Sequence, residues 1–152
     1  MSVLRNRYKE DLIYTNIGPV LIAINPFKRL PHLYTEATIR EYRGKKYFEV
    51  PPHPYSLIDD AYNSMITYKE NQCVIISGES GSGKTETAKI ILNYISSITG
   101  KGTGVQLVKD RMLSSNPILE SFGNAKTINN NNRYVCFHVS HLELWLVLIL
   151  PG

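Results

Sequence analysis

The sequence predicts an α/β fold of the P-loop NTPase type, in which a strand runs through a glycine-rich loop into a helix. Three adjacent features predict it. Cys73-Val74-Ile75-Ile76-Ser77 is a short apolar, β-branched run with the character of a buried strand. Gly78-Glu79-Ser80-Gly81-Ser82-Gly83-Lys84-Thr85 meets every fixed position of the pattern G-x-x-x-x-G-K-[ST]. From Glu86 to Ile98, Ala88, Ile91, Leu92 and Ile95 recur at helical spacing. The motif requires this order of strand, loop and helix.

The loop residues imply the chemistry. Glycines at 78, 81 and 83 let the backbone curl so that its N–H groups face a bound anion without obstruction. The helix starting near Lys84 adds the positive end of its dipole. Lys84 is placed to reach the β- and γ-phosphates of a nucleoside triphosphate, and the Thr85 hydroxyl to sit on Mg²⁺.

The other elements follow in chain order. Val20 to Ile24 is a second apolar strand, closed by Asn25-Pro26. Thr35 caps a short helix ending near Gly44, and Arg40, Arg43, Lys45 and Lys46 cluster at that helix end and the turn after it. Pro51, Pro52 and Pro54 punctuate the chain. Ser56 with Asp59 reads as a capping box, followed by Ile58, Ala61, Tyr62, Met65 and Ile66 along one helix face. Asp59 and Asp60 read as first-turn helix charges, not as a magnesium carboxylate at a strand end. Thr99 to Gly104 reads as a flexible loop. Val105, Val108 and Met112 mark a further helix, and Asn116-Pro117 starts a short one that ends at Gly123.

Composition narrows the class. A chain of 152 residues with 43% hydrophobic and 20% charged side chains can build one soluble globular domain. Its net charge of +4 is too small and too dispersed to argue for nucleic acid. Cys73 and Cys136 make no disulfide framework, and Cys73 is expected to be a small buried hydrophobe. His138 and His141 stand near Cys136 without the second ligand pair that a zinc site needs. Charges at Arg5, Arg7, Lys9, Glu10 and Asp11 interrupt any N-terminal signal segment. The run from Leu142 to Leu150 is too short for a transmembrane span, which takes about 20 apolar residues.

Several segments together resemble the myosin motor domain. Ile13-Tyr14-Thr15 with Gly18, and then Asn25-Pro26-Phe27-Lys28-Arg29-Leu30-Pro31, look like the family's early strand and purine-binding loop. Pro52-His53-Pro54-Tyr55 with Asp60-Ala61-Tyr62 looks like its helix entry. The P-loop lies in GESGSGKTETAK, where the family usually has Ala at the position of Ser82. Ser115-Asn116-Pro117 to Leu119-Glu120, and Phe122-Gly123-Asn124-Ala125-Lys126-Thr127, match the approach to switch I. The loop TGKGTG and residues Val105 to Asp110 look most like class I, the single-headed myosins.

The resemblance implies a partial motor head, its central sheet incomplete, over residues 4–132, and an apolar tail over 133–152. It implies ATP and Mg²⁺ as ligand and cofactor, and actin filaments as the partner of the parent family, whose actin interface is not in this sequence. It also implies a cytoplasmic, cytoskeleton-associated setting. Asn25, Pro26 and Tyr34 would line the adenine site with Lys28 nearby. Pro26 and Tyr34 offer flat apolar surface, and Asn25 offers an amide to a purine edge. Gly78 to Thr85 would hold the phosphates.

After Asn132 the sequence departs from the family. The pattern Ser-Ser-Arg-Phe-Gly-Lys is replaced by Arg133-Tyr134-Val135-Cys136, and the second switch is absent. The family is an actin-activated ATPase, so without complete switches this chain is expected to bind nucleotide without useful turnover. Arg133-Tyr134-Val135 admits codons carrying a splice-donor signal, so the tail reads as intron read-through. A non-catalytic product and a small nucleotide kinase are the competing readings. The NPFKRLP and FGNAKT segments, together with the lack of substrate arginines beyond Arg111 and Arg133, count against the kinase.

Overall fold

The structure is a computed structural model. It describes residues 2–79, 81–99, 110, 124–127, 130–134 and 146–150. The expected helices at Val105–Met112 and Asn116–Gly123, the loop beyond Thr99, and Cys136, His138 and His141 lie wholly or almost wholly outside the described residues. The chain forms two compact units, one of residues 1–74 with 147–152 and the other of residues 75–146.

In the first unit, helix α1 (Ser2–Lys9) leads into an antiparallel hairpin of β1 (Tyr14–Ile17) and β2 (Val20–Ala23). The pairing runs from Tyr14 opposite Ala23 to Ile17 opposite Val20, leaving Gly18-Pro19 as a two-residue turn. Gly18 has φ 56° and proline holds φ near −65°, the sign pattern of a type II′ turn that suits the twist of a hairpin. Arg7 ties α1 to β1: its Nε donates to Thr15 Oγ1 at 3.0 Å, and its Nη2 donates to the Tyr14 carbonyl at 2.8 Å. Helix α1 was not expected from the sequence, and these contacts hold it to β1.

A short 3₁₀ turn (Pro31–Tyr34) precedes α2 (Glu36–Tyr42). The expected cap forms there, with Thr35 Oγ1 accepting the Thr38 N–H at 3.2 Å. Ile13, Tyr14 and Leu30 form a buried core with Leu21, Leu33 and Tyr34 packed against it.

Helix α3 runs over Pro54–Tyr68, two residues earlier than the Ser56 start expected from sequence. The capping box of Ser56 and Asp59 does not form. His53 is the cap, with Nδ1 accepting the Tyr55 N–H at 3.1 Å, and Pro54 takes the first-turn position where its missing N–H costs nothing. Ser56 is buried and donates from Oγ to the His53 carbonyl at 2.9 Å. Asp59 is not a solvent-facing first-turn charge either. It is 2% exposed, and its Oδ2 accepts from the Gly44 N–H at 2.8 Å and Asn63 Nδ2 at 2.9 Å. The carboxylate therefore pins the turn after α2 onto α3, with Gly44 at φ 72°.

Strand β3 (Gln72–Ile76) pairs with β6 (Leu146–Leu150). The expectation of a buried β3 is corrected. Val74 is buried, Ile75 is 57% exposed, and Cys73 is exposed rather than a small core residue. Alternation on a strand turns Cys73 and Ile75 to the face opposite Val74, and a continuous apolar run does not reveal that one face stays uncovered.

In the second unit, α4 (Lys84–Ile98) buries Ile91, Tyr94 and Ile98 along one stripe. Strands β4 (Asn124–Thr127) and β5 (Asn130–Tyr134) pair antiparallel, with Asn124 opposite Tyr134 and Thr127 opposite Asn130. The architecture is thus mixed helices with small antiparallel pairings.

Candidate functional site

Residues 77–83 lie between β3 and α4. Gly81 has φ 80° and Gly83 has φ 98°, both in the left-handed region that a side chain disfavours. The Ser82 N–H donates to the Glu79 carbonyl at 3.2 Å and closes the turn. A Cβ on Gly78 would lie 2.6 Å from Ser82 Oγ and 3.3 Å from its Cβ, so Gly78 lets the two limbs of the loop approach.

Gly83 is the N-cap of α4 and offers no side-chain acceptor to the first-turn amides. The first helical bond runs from the Thr87 N–H to the Gly83 carbonyl at 2.9 Å. Lys84 folds its ammonium back over the loop, donating to the Gly78 carbonyl and, at 2.8 Å, to the Glu79 carbonyl. The Thr85 side chain is half-buried on the first turn. Just beyond, Glu86 and Lys89 form an exposed ion pair of 2.7 Å. Ser80, named from sequence among the phosphate-binding residues, is outside the described residues.

The residues matched to an adenine site lie in the first unit. Asn25 Oδ1 accepts the Phe27 N–H at 2.9 Å, an Asx turn that leaves Phe27 at φ 51°. Tyr8 Oη donates to the Asn25 carbonyl at 3.4 Å. Pro26 is half-buried. Lys28 is exposed and pairs with Asp11 at 2.5 Å. Tyr34 is half-buried, its hydroxyl 2.8 Å from that of Tyr14.

Beside Tyr34 stands His53, which the sequence placed only in the helix entry Pro52-His53-Pro54-Tyr55. His53 is 2% exposed and is enclosed by Tyr14, Tyr34, Tyr42 and Tyr55, with ring centroids 5.0, 5.6, 5.0 and 4.3 Å away. Because Nδ1 accepts from Tyr55, the neutral ring carries its proton on Nε2, which has no hydrogen-bond partner among the described residues. Burial lowers its pKa to about 4, against a weaker opposing influence of the Leu33 backbone. Burial likewise raises the hydroxyls around it, Tyr55 to about 12. A histidine set between prolines at a helix entry was the available signal.

A family model, the myosin head (motor domain), matches residues 1–137. The chain belongs to the myosin head family. Among its relatives, the Myosin ID heavy chain of Dictyostelium discoideum is 58% identical over 129 residues, covering 85% of this chain and 12% of that protein. Unconventional myosin IC of Drosophila melanogaster is 53% identical over 129 residues, again 85% of this chain and 12% of the relative. The Myosin IC heavy chain of Acanthamoeba castellanii is 55% identical over 129 residues, 85% of this chain and 10% of the relative. The resemblance to class I myosins is thereby shown, and the chain spans about a tenth of the length of these relatives. Among the described residues, no helix is long and apolar enough to cross a membrane.

Proposed function

We propose that this chain is the nucleotide-binding part of an actin-based myosin motor, and that residues Gly78 to Thr85 hold the triphosphate of ATP. One observation supports this most: the loop turns through two left-handed glycines directly into the N-terminus of α4, with the lysine ammonium gathered over it. Such a turn directs successive amides to one side, and the helix dipole adds to the attraction for an anion.

The donor set fits ATP with Mg²⁺. Glycine at 78 keeps the loop closed, the first-turn amides of α4 meet no capping side chain, and the Lys84 stem carries its charge to the loop. Lys84 would exchange carbonyl contacts for phosphate oxygens, a stronger charge-assisted bond. Thr85 would offer one hydroxyl to the metal. Mg²⁺ keeps several waters and is commonly held through substrate phosphates, so it would arrive with the nucleotide. The ion, when bound, screens the charge of the β- and γ-phosphates. Asn25, Pro26 and Tyr34, with Lys28 nearby, are the residues that the family resemblance would give to adenine. Movement on actin filaments, and a cytoskeletal setting, belong to the whole motor of which this chain would be a part.

The test is calorimetric titration of Mg·ATP into wild type and Lys84→Ala. The expected result is at least a tenfold loss of affinity, since one charge-assisted pair of about 1.5–3 kcal/mol is removed. Equal affinity in the two proteins overturns the reading.

A further inference from the structure

We propose that the turn after α2 docks on an anionic membrane surface: the exposed rings of Tyr47 and Phe48 enter the bilayer interface while Arg43, Lys45 and Lys46 meet its headgroups. All five residues lie in the first unit, and none belongs to the phosphate loop or to the residues matched to adenine.

The turn is exposed but not loose. Residues 43–49 are exposed throughout, and hydrogen bonds hold them at root and tip. At the root, the Tyr42 hydroxyl donates to the Pro51 carbonyl at 3.1 Å, the Gly44 N–H to Asp59, and the Lys45 N–H to the Tyr42 carbonyl at 3.2 Å. At the tip, the Glu49 N–H donates to the Lys46 carbonyl at 2.9 Å, a β-turn with Tyr47 and Phe48 at its central positions. The Glu49 carboxylate accepts the Lys46 N–H, also at 2.9 Å. The two rings meet edge to face, their centroids 5.5 Å apart, and are 49% and 72% exposed. Gly, Asn, Asp and Ser usually occupy such positions. Here a fixed turn keeps two large rings in water, a cost that contact with an apolar phase removes.

The charges around the rings say which phase. Among the described residues Arg43, Lys45 and Lys46 enter no ion pair, whereas Arg40 is engaged by Glu36 at 3.4 Å. Glu41 is exposed nearby and subtracts from the patch, while Glu49 spends its carboxylate on the turn. Burial raises the Asp60 carboxyl and Lys46 offsets part of that, so Arg43 and Lys45 are the freer cations. Aromatic rings settle at the headgroup level of a bilayer, and lysine and arginine are drawn to its anionic lipids. A single-stranded nucleic acid would instead stack successive bases on ring faces, which two rings at 82° to each other suit poorly.

The experiment is co-sedimentation of the full chain with phosphatidylcholine vesicles, with and without about 30% phosphatidylserine. It compares wild type, Phe48→Ser, Phe48→Leu and Arg43→Gln/Lys45→Gln. Each cation at an anionic surface is worth about fivefold, so wild type should prefer the anionic vesicles about tenfold or more. That preference should fade as salt rises from about 50 to about 500 mM. Phe48→Ser should weaken binding about fivefold or more, Phe48→Leu should keep it, and the double variant should lose most of the preference. Wild type that binds neither vesicle, or both equally, overturns the proposal. So does binding that survives Phe48→Ser and the double variant, which would place the contact elsewhere, as on the apolar run Leu142 to Leu150. Equal loss in Phe48→Ser and Phe48→Leu overturns insertion of an apolar tip. Retention of a poly(U) oligonucleotide in place of vesicles assigns the turn to nucleic acid and overturns it too. If a variant is unfolded by circular dichroism, wild type alone is digested with trypsin. Anionic vesicles should slow cleavage after Arg43, Lys45 and Lys46 severalfold, and unchanged cleavage overturns the proposal.

Discussion

His53 should make the first unit acid-labile well above the range in which carboxylates titrate. Folded, its pKa is lowered from 6.5 to about 4 by burial. Between those values the unfolded chain binds a proton that the folded chain refuses. Stability contributed by the neutral ring is therefore complete above about pH 6.5 and lost as pH falls toward 4. At 1.36 kcal/mol per pH unit the loss is roughly 3 kcal/mol, a large part of the ~5–15 kcal/mol that holds a typical domain. The structure supplies the cause. A second proton must go onto Nδ1, which is accepting the Tyr55 N–H, so protonation breaks the α3 cap and leaves a charge among four tyrosine rings. Those tyrosines titrate far above this window and do not confuse the readout. Asp60 does titrate at low pH. Burial raises its carboxyl, with Lys46 opposing, so its contribution has the opposite sign, but it is common to wild type and variant and cancels in the comparison. The assay is urea unfolding followed by circular dichroism at pH 7.5, 6, 5 and 4, in wild type and His53→Asn. Asparagine keeps an acceptor for the cap but does not titrate. Wild type should lose stability below pH 6.5 by roughly 3 kcal/mol more than the variant, which should start weaker at pH 7.5. Equal pH slopes in the two proteins would refute the reasoning.

Three further perturbations test the local geometry. Asp59→Ala removes the buried acceptor of the Gly44 N–H and Asn63 Nδ2, and should cost about 3–6 kcal/mol in urea unfolding, since hydrogen bonds to a charged group are each worth about 1.5–3 kcal/mol. A loss below about 0.5 kcal/mol would mean that Asp59 does not hold the turn. Gly83→Ala places a side chain at φ 98°, where nothing obstructs it but the backbone is strained. It should cost about 1–2 kcal/mol and weaken Mg·ATP binding in calorimetry, and an unchanged protein would show that the turn needs no left-handed residue. Lys69 closes α3 at φ 56° and donates its N–H to the Met65 carbonyl at 3.0 Å, so Lys69→Gly should raise stability by about 0.5–1 kcal/mol, read as a higher urea midpoint.

Much was legible in the residues because it depends on neighbours in sequence. Thr35 caps α2 through an N–H three residues away, and Gly81 and Gly83 mark a turn that only glycine enters freely. The stripe of α4 was readable for the same reason, although Tyr94, fully buried, was missed beside the aliphatic positions. The motor-head family was also written in the local motifs, and the match over residues 1–137 bears that out.

What sequence order did not contain was set by contacts between distant residues. Ser56 and Asp59 have the spacing of a capping box, but Gly44, fifteen residues away, claims the Asp59 carboxylate, and the His53 imidazole claims the cap. A local preference worth about 1 kcal/mol gives way to a buried charge that must be paired. Cys73 and Ile75 belong to an apolar run, yet the strand's alternation turns them to an uncovered face. Composition cannot say which side of a strand will be packed. The tyrosines around His53 come from positions 14, 34, 42 and 55, and only the fold closes them around one ring. The identity of each side chain was fixed in the chain, but its protonation and its partner depended on which distant groups excluded water from it.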